Sequence, residues 1–338
     1  MTKDSLTTDL LSFLTDATTP FHAVGVMAER LLAAGFNPWS DASREPIVAG
    51  GKYFTVRNDS SLIAFTAGKD LSQGLRLVGA HTDSPNLSVR PNPSVNRFGC
   101  NLLAVDVYGG ALLNPWFDRD LSMAGKVSFE TGTEELVSRL IDFKAPIAVI
   151  PSLAIHLDRD ANKGRTVNPQ TDMLPLISLS SGDGDFDIHT MLTAQIAAEY
   201  PDLDIKKILD WELSFYDTQA PGFVGLNNDF IASARLDNLL SCFGGLQAII
   251  NSADSDEWNL FVANDHEEVG SASAVGAQGP MLNDVLRAIA PDPVDDRALR
   301  QSSWMLSVDN AHAIHPNYPT KHDEPVSYTH LTLPTSND

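Results

Sequence analysis

The sequence predicts an α/β fold in two parts: an α/β domain interrupted by an inserted β-rich module. Three observations predict it. Helix-period stretches alternate with apolar runs of strand length up to about residue 88 and again from about 225. Between them, over 89–224, the texture changes to short strands separated by polar, Pro- and Gly-rich connections. And 338 residues are more than one ordinary core organises, so two domains are expected.

Taken in order, residues 4–17 read as a helix with Leu6, Leu10, Phe13 and Leu14 on one face and Asp4 or Ser5 as its cap. The pattern repeats from Phe21 to Ala34 and stops at Gly35. YFTVR, SLIAFTA and LRLVGAHTD follow as strands, the last apolar on consecutive positions as a strand covered on both faces would be. VRPNPSVNRFG, with its prolines and asparagines, reads as a crossing loop. LLAVDVYGG and PIAVI read as short strands, and GTEELVSRLIDF between them as the start of an amphipathic helix. The polar stretch with SSGDGDFD is a loop, followed by a helix at 188–199 and a strand near 205–217. A helix opens at Asp237 with Leu239, Leu240, Phe243, Leu246 and Ile250 as its apolar face. WNLFVANDHEEVG is a buried strand entering an acidic turn, a helix lies near 280–290, and WMLSVDN is a further buried strand ending in an acid.

Composition narrows the function. With 23 Lys+Arg against 44 Asp+Glu the formal charge is -21, which excludes nucleic acid and anionic membrane as natural partners because both need a basic face. No run reaches the roughly 18 apolar residues of a membrane span. The start, MTKDSLTTDLL, has no apolar signal core, so a cytoplasmic location is expected. Cys100 and Cys242 are expected as reduced thiols.

The chemistry gathers at the ends of the apolar runs. His81 and Asp83 are two apart on one strand and share a face, so the carboxylate is placed to fix the imidazole as a metal ligand; a capped strand end is the plain alternative. Asp237 at a helix start is either a cap favoured by the helix dipole or a carboxylate bridging two metals. In the pair Glu267-Glu268 one carboxylate can hold metal while its neighbour takes a proton from water. Glu134-Glu135 shows that an acidic pair alone means little; the strand-end setting separates the two. Asp309 ends the last apolar run, and His312 and His315 after it are read as non-ligands. Two zinc ions about 3.5–4 Å apart, activating one water and polarising one carbonyl, suit such a set.

At these residues the chain resembles the aspartyl aminopeptidase family of zinc metallopeptidases. The resemblance is carried by TPFHAV, GAHTDSPNLSVRPNP, WFDRDLSMAGKV, LAIHLDR, ELSFYDTQ, ARLDNL, NDHEEVGS and SVDNAHAIHPNYPTKHDE, from near the start to about Glu324. It implies an α/β/α metallopeptidase domain from 1–88 and 225–324, interrupted by a dimerisation domain at 89–224. It further implies two zinc ions. His81, Asp237 and Asp309 would hold one, with Asp237 bridging and Glu268 on the second; Glu267 would be the general base and Asp83 the support of His81. His156 in LAIHL would reach the active site of a neighbouring subunit, although the segment alone reads as a packed strand or helix. Such enzymes remove N-terminal residues from peptides, many preferring Asp or Glu, and assemble from dimers into dodecamers. After Glu324 the resemblance stops, and PVSYTHLTLPTSND at 325–338 reads as a foreign tail. The expectation is therefore a C-terminally truncated, inactive fragment whose second zinc lacks a His. The alternatives are a related two-zinc deacylase and a non-catalytic oligomeric scaffold.

Overall fold

The computed structural model describes residues 3–40, 42, 45–180 and 186–322. Its elements begin with α1 (Lys3–Asp16), α2 (Pro20–Ala33), β1 (Asn37–Pro38), β2 (Lys52–Arg57), β3 (Ser61–Thr66) and β4 (Leu75–His81). Then come β5 (Asn86–Arg97), β6 (Cys100–Tyr108), β7 (Leu121–Thr131), β8 (Leu136–Asp142), the single turns α3 (Ala161–Gly164) and α4 (Pro169–Asp172), β9 (Leu176–Leu179), α5 (Ile188–Glu199) and β10 (Ile205–Asp217). A short hairpin, β11 (Gly222–Val224) and β12 (Phe230–Ala232), leads to α6 (Leu236–Asn251), β13 (Trp258–Asn264), α7 (Met281–Ile289), α8 (Pro293–Ser302) and β14 (Trp304–Ser307).

The first sheet has the order β1-β2-β3-β13-β4-β14, with β13, β4 and β14 mutually parallel. Alternate residues of its central strands enter two cores. Leu62, Ala64, Phe261 and Ala263 face α1, α2 and α6, while Ile63, Phe65, Leu260 and Val262 face α7 and α8. That is an α/β/α sandwich, and it explains why β3 and β13 read as continuous apolar runs. Helix α6 lies so close to β13 that a Cβ on Gly245 would stand 2.3 Å from Cε2 of Phe261.

The second sheet is antiparallel, ordered β8-β7-β10-β5-β6-β9, and has its own core closed by Ile188, Leu192 and Ile196 of α5. Among the described residues no helix is long and apolar enough to cross a membrane. Cys100 and Cys242 are free thiols.

Several sequence expectations are corrected. The segment 89–99 is largely strand rather than loop: Val89 pairs Val105 and Ser94 pairs Leu103, so Arg90 to Pro93 bulge out opposite Ala104. Both prolines fall in that bulge, where no ladder N–H is needed. GTEELVSRLIDF forms a hairpin, not a helix; Glu134 turns at φ +64 and β8 pairs β7 from Glu130↔Leu136 to Ala124↔Asp142. Its Leu136/Leu140 spacing suits a helix, but edge pairing to β7 overrides local propensity. The apolar face of α6 uses Cys242 and Ile249 in place of Leu240, which points to solvent. β14 is exposed, with Trp304 and Met305 about half accessible, because it is the outermost strand. Helix α1 begins at Lys3, so Asp4 and Ser5 lie within it rather than capping it. The centre of the SSGDGDFD loop, residue 324 and the tail at 325–338 lie outside the described residues.

Candidate metal centre

Three parallel strands end at one level. The register sets His81, the last residue of β4, opposite Asn264, the last residue of β13. β14 runs beside β4 on the other side, so the chain leaving it also emerges there. Open α/β sheets bind ligands at such carboxyl ends. Glu267 and Glu268 follow β13, Asp309 follows β14, and the first turn of α6 brings Asp237.

The centre is organised around His81, whose ring is buried. Nδ1 stands 3.2 Å from Asp83 Oδ1 and 3.1 Å from the Asp83 carbonyl oxygen. A proton on Nδ1 therefore points at Asp83 and leaves the lone pair on Nε2. Nε2 is itself buried and has no hydrogen-bond partner. It faces Asp237 Oδ1 at 3.5 Å, Asp309 Oδ1 at 3.6 Å and Glu267 Oε2 at 3.8 Å. Ligand atoms of His81, Asp237 and Asp309 all lie within 4.8 Å of one another. One orphaned imidazole nitrogen ringed by carboxylates is costly without a cation, and imidazole with carboxylates is a donor set that zinc accepts. The residues thus fit a zinc ion.

Asp83, wholly buried, ties the parts together. Oδ2 accepts from the Tyr108 hydroxyl at 2.7 Å and from Glu268 N–H at 3.1 Å; Oδ1 accepts from Glu267 N–H at 3.1 Å. Burial alone would raise its pKa, but the bonds from His81, Tyr108 and Glu268 outweigh burial and hold it below the usual carboxylate range. In the metal-free chain burial lowers the pKa of His81, while Asp83, Asp309 and Glu267 reverse that and lift it to about 9. Asp237 is pushed up by burial and by Asp309, and Glu268 by burial and by Asp237 and Asp83. Crowded acids that resist ionising together are what a bound cation relieves.

Local backbone sets each carboxylate. Asp237 opens α6 with non-helical φ/ψ and a cis peptide to Asn238, and its carboxylate turns to His81 Nε2. Ser84 Oγ donates to the Asp237 carbonyl at 2.6 Å, and Asn238 Nδ2 donates to the Val308 carbonyl at 2.8 Å, joining the head of α6 to the exit of β14. Just before it, the half-buried Arg235 donates to the carbonyls of Leu14 and Ala17, each at 3.1 Å, which close the end of α1. The Glu267-Glu268 turn is bounded by left-handed His266 and Gly270.

The structure therefore brings together His81, Asp83, Asp237, Glu267, Glu268 and Asp309. His156 lies apart from them in an exposed turn, neither strand nor helix. His312 is exposed, and His315 is exposed and packs on the Tyr318 ring. The sequence reading missed Tyr108, Gly109 and Gly110, which reach the centre from the second sheet. Gly109, at φ +70, lies so near Glu268 that a Cβ would come within 2.9 Å of the Glu268 Cβ. The Gly-Gly ending of LLAVDVYGG was the available signal, since paired glycines after a strand mark close backbone approach. Beside Asp237 a cleft of about 500 Å³ opens between the two sheets, with Pro20, Asn86, Trp116, Phe215 and Leu236 among its walls.

A buried imidazole and convergent carboxylates at the carboxyl edge of an α/β/α sheet, next to an open cleft, define a metal-dependent hydrolase. The family model described as Aminopeptidase I zinc metalloprotease (M18) matches residues 13–330. A probable M18 family aminopeptidase 2 of Pseudomonas entomophila is 54% identical over 323 residues, 95% of this chain and 75% of its own length. Among solved structures, the cryo-EM structure of the Ape4 and Nbr1 complex contains a chain 34% identical, with TM-score 0.89 over 96% of this chain and 67% of that one. The mApe1 dodecamer of S. cerevisiae gives 27% identity and TM-score 0.80 over 94% of this chain and 74% of that one. The chain belongs to the M18 family of zinc metallo-aminopeptidases, which includes the aspartyl aminopeptidases.

Proposed function

We propose that the protein releases N-terminal residues, Asp and Glu foremost, from peptides by a two-zinc mechanism in which Glu267 is the general base. The observation that carries this reading is the buried, unpartnered Nε2 of His81 facing Asp237, Asp309 and Glu267. His81, Asp237 and Asp309 would hold one zinc, and Asp237 and Glu268 would hold the second. When bound, zinc supplies a Lewis acid that polarises the scissile carbonyl and acidifies water. Glu267 takes the proton of the attacking water and returns it to the departing amide nitrogen. Asp83 keeps His81 in the tautomer that leaves Nε2 free, and its bonds to the two Glu amides hold the base in place. The cleft beside Asp237 gives the substrate room to lie next to the acids. Homo-oligomers built from dimers, as in the dodecameric relative, and a reach of His156 toward a neighbouring subunit's substrate complete the reading.

The test is hydrolysis of matched peptides with free and N-acetylated Asp, Glu or Leu termini, before and after chelation. Zinc-restored release of free N-terminal Asp and Glu, with acetylated peptides inert, would overturn the expectation of an inactive fragment and bear out this reading. Chelator-insensitive cleavage, or loss of the acetyl group instead, would count against it.

A further inference from the structure

Tyr108 ends β6, a strand of the second sheet, yet its hydroxyl enters the metal centre of the first. It donates to Asp83 Oδ2 at 2.7 Å. That carboxylate is fully buried, so no water competes for it, and its position decides two things at once. It orients the His81 ring through Nδ1, and it accepts the backbone N–H groups of both Glu267 and Glu268. The next residue approaches the same turn: a Cβ on Gly109 would come within 2.9 Å of the Glu268 Cβ. The end of β6 thus meets the centre at Tyr108 and Gly109.

We propose that Tyr108 is a positioning residue for the zinc centre, its phenol fixing Asp83 so that docking of the second sheet sets the geometry of the His81 and Glu267-Glu268 ligand groups. This rests on the zinc reading of the site. A hydrogen-bonded carboxylate behind a ligating His tunes metal affinity, and removing such outer partners typically costs 10–100-fold. Tyr216 supplies a control. It also lies on the second sheet, and its hydroxyl donates to Asp142 Oδ1 at 2.6 Å, a phenol–carboxylate bond outside the ligand set.

The experiment is zinc affinity of the full chain by competition with a fluorescent chelator, for wild type, Tyr108→Phe, Tyr216→Phe, Asp83→Asn and the Tyr108→Phe/Asp83→Asn double variant. Tyr108→Phe is expected to weaken zinc binding about 10-fold or more, to alter the visible spectrum of the cobalt-substituted protein, and to lower kcat with KM unchanged. Tyr216→Phe should lower the unfolding midpoint without moving zinc affinity. In the Asp83→Asn background the Tyr108 change should add nothing further. Should Tyr108→Phe not fold, 4-fluorophenylalanine at 108 fills the phenol's volume without a donor and should show the same loss. Wild-type zinc affinity in a variant that loses only stability, or fully additive effects with Asp83→Asn, would overturn the positioning role. If wild type itself binds no zinc, the metal-centre reading falls, and this inference with it.

Discussion

Two adjacent glycines on α6 make opposite predictions. A Cβ on Gly245 would meet Phe261 Cε2 at 2.3 Å, Cδ2 at 2.5 Å and Cζ at 3.2 Å. Phe261 is itself buried between helix and sheet, 1% exposed, so its ring has nowhere to retreat. Overpacking of this kind costs about 1–3 kcal/mol, and contact this short belongs at the upper end. Against it stands a gain of about 1 kcal/mol for replacing a mid-helix Gly by Ala. Gly245→Ala should therefore destabilise by about 2 kcal/mol net. Gly244, one residue earlier, is exposed and has nothing within 4 Å of its Cβ, so Gly244→Ala keeps the gain of about 1 kcal/mol alone. Urea unfolding of the chelated chain, followed by circular dichroism, would show midpoints moving in opposite directions. Because α6 carries Asp237, Gly245→Ala should also weaken zinc binding. If both variants raise the midpoint, α6 stands farther from β13 than described and the reasoning fails.

Glu267→Gln keeps the shape of the proposed base but not its basicity. It should cut kcat by about 10²–10⁴ while zinc content stays at the wild-type level, measured by plasma emission on the same samples. In the metal-free chain His81 is lifted to about 9, so its contribution to stability is complete below its unfolded value of about 6.5 and disappears as pH rises through about 9. Urea midpoints of chelated protein should fall across that window while zinc affinity rises, since zinc must displace the proton; pH-independent midpoints would refute the assignment.

The sequence disclosed the first sheet and its acids because each came with a physical signature: a run apolar on both faces, stopping at a group that needs water or metal. His81, Glu267, Glu268 and Asp309 were legible as candidates in that way, and Asp237 only as an acid at a helix start. Tyr108 was not, because a tyrosine at the end of a half-buried strand looks the same whether its hydroxyl meets solvent or a carboxylate. Its partner, Asp83, lies in the connection from β4 to β5, and nothing near Tyr108 in sequence reports the contact. The edge strand β8 was misread because the i, i+4 spacing of Leu136 and Leu140 satisfies a helix, whereas the ladder to β7 that decides the matter is not local. Asp237 was ambiguous between cap and ligand because a carboxylate at a helix start suits either; in the fold it stands beside His81 Nε2.

The parallel pairing of β4 with β14 joins segments 228 positions apart, as in the bond from Leu75 N–H to Ser303 Oγ. The second sheet lies wholly between them and includes hairpins such as β5–β6 and β7–β8, whose strands are near neighbours in the chain. Closing a short loop loses less entropy than closing a long one, so these hairpins form early and the first sheet is sealed late. A nascent chain has made β5 to β10 before β14 has been synthesised. His81 and Asp309 then meet only in the final stage of folding. On the proposed reading zinc would then act as a lock on the assembled site, holding it by mass action, and not as the seed around which the chain folds.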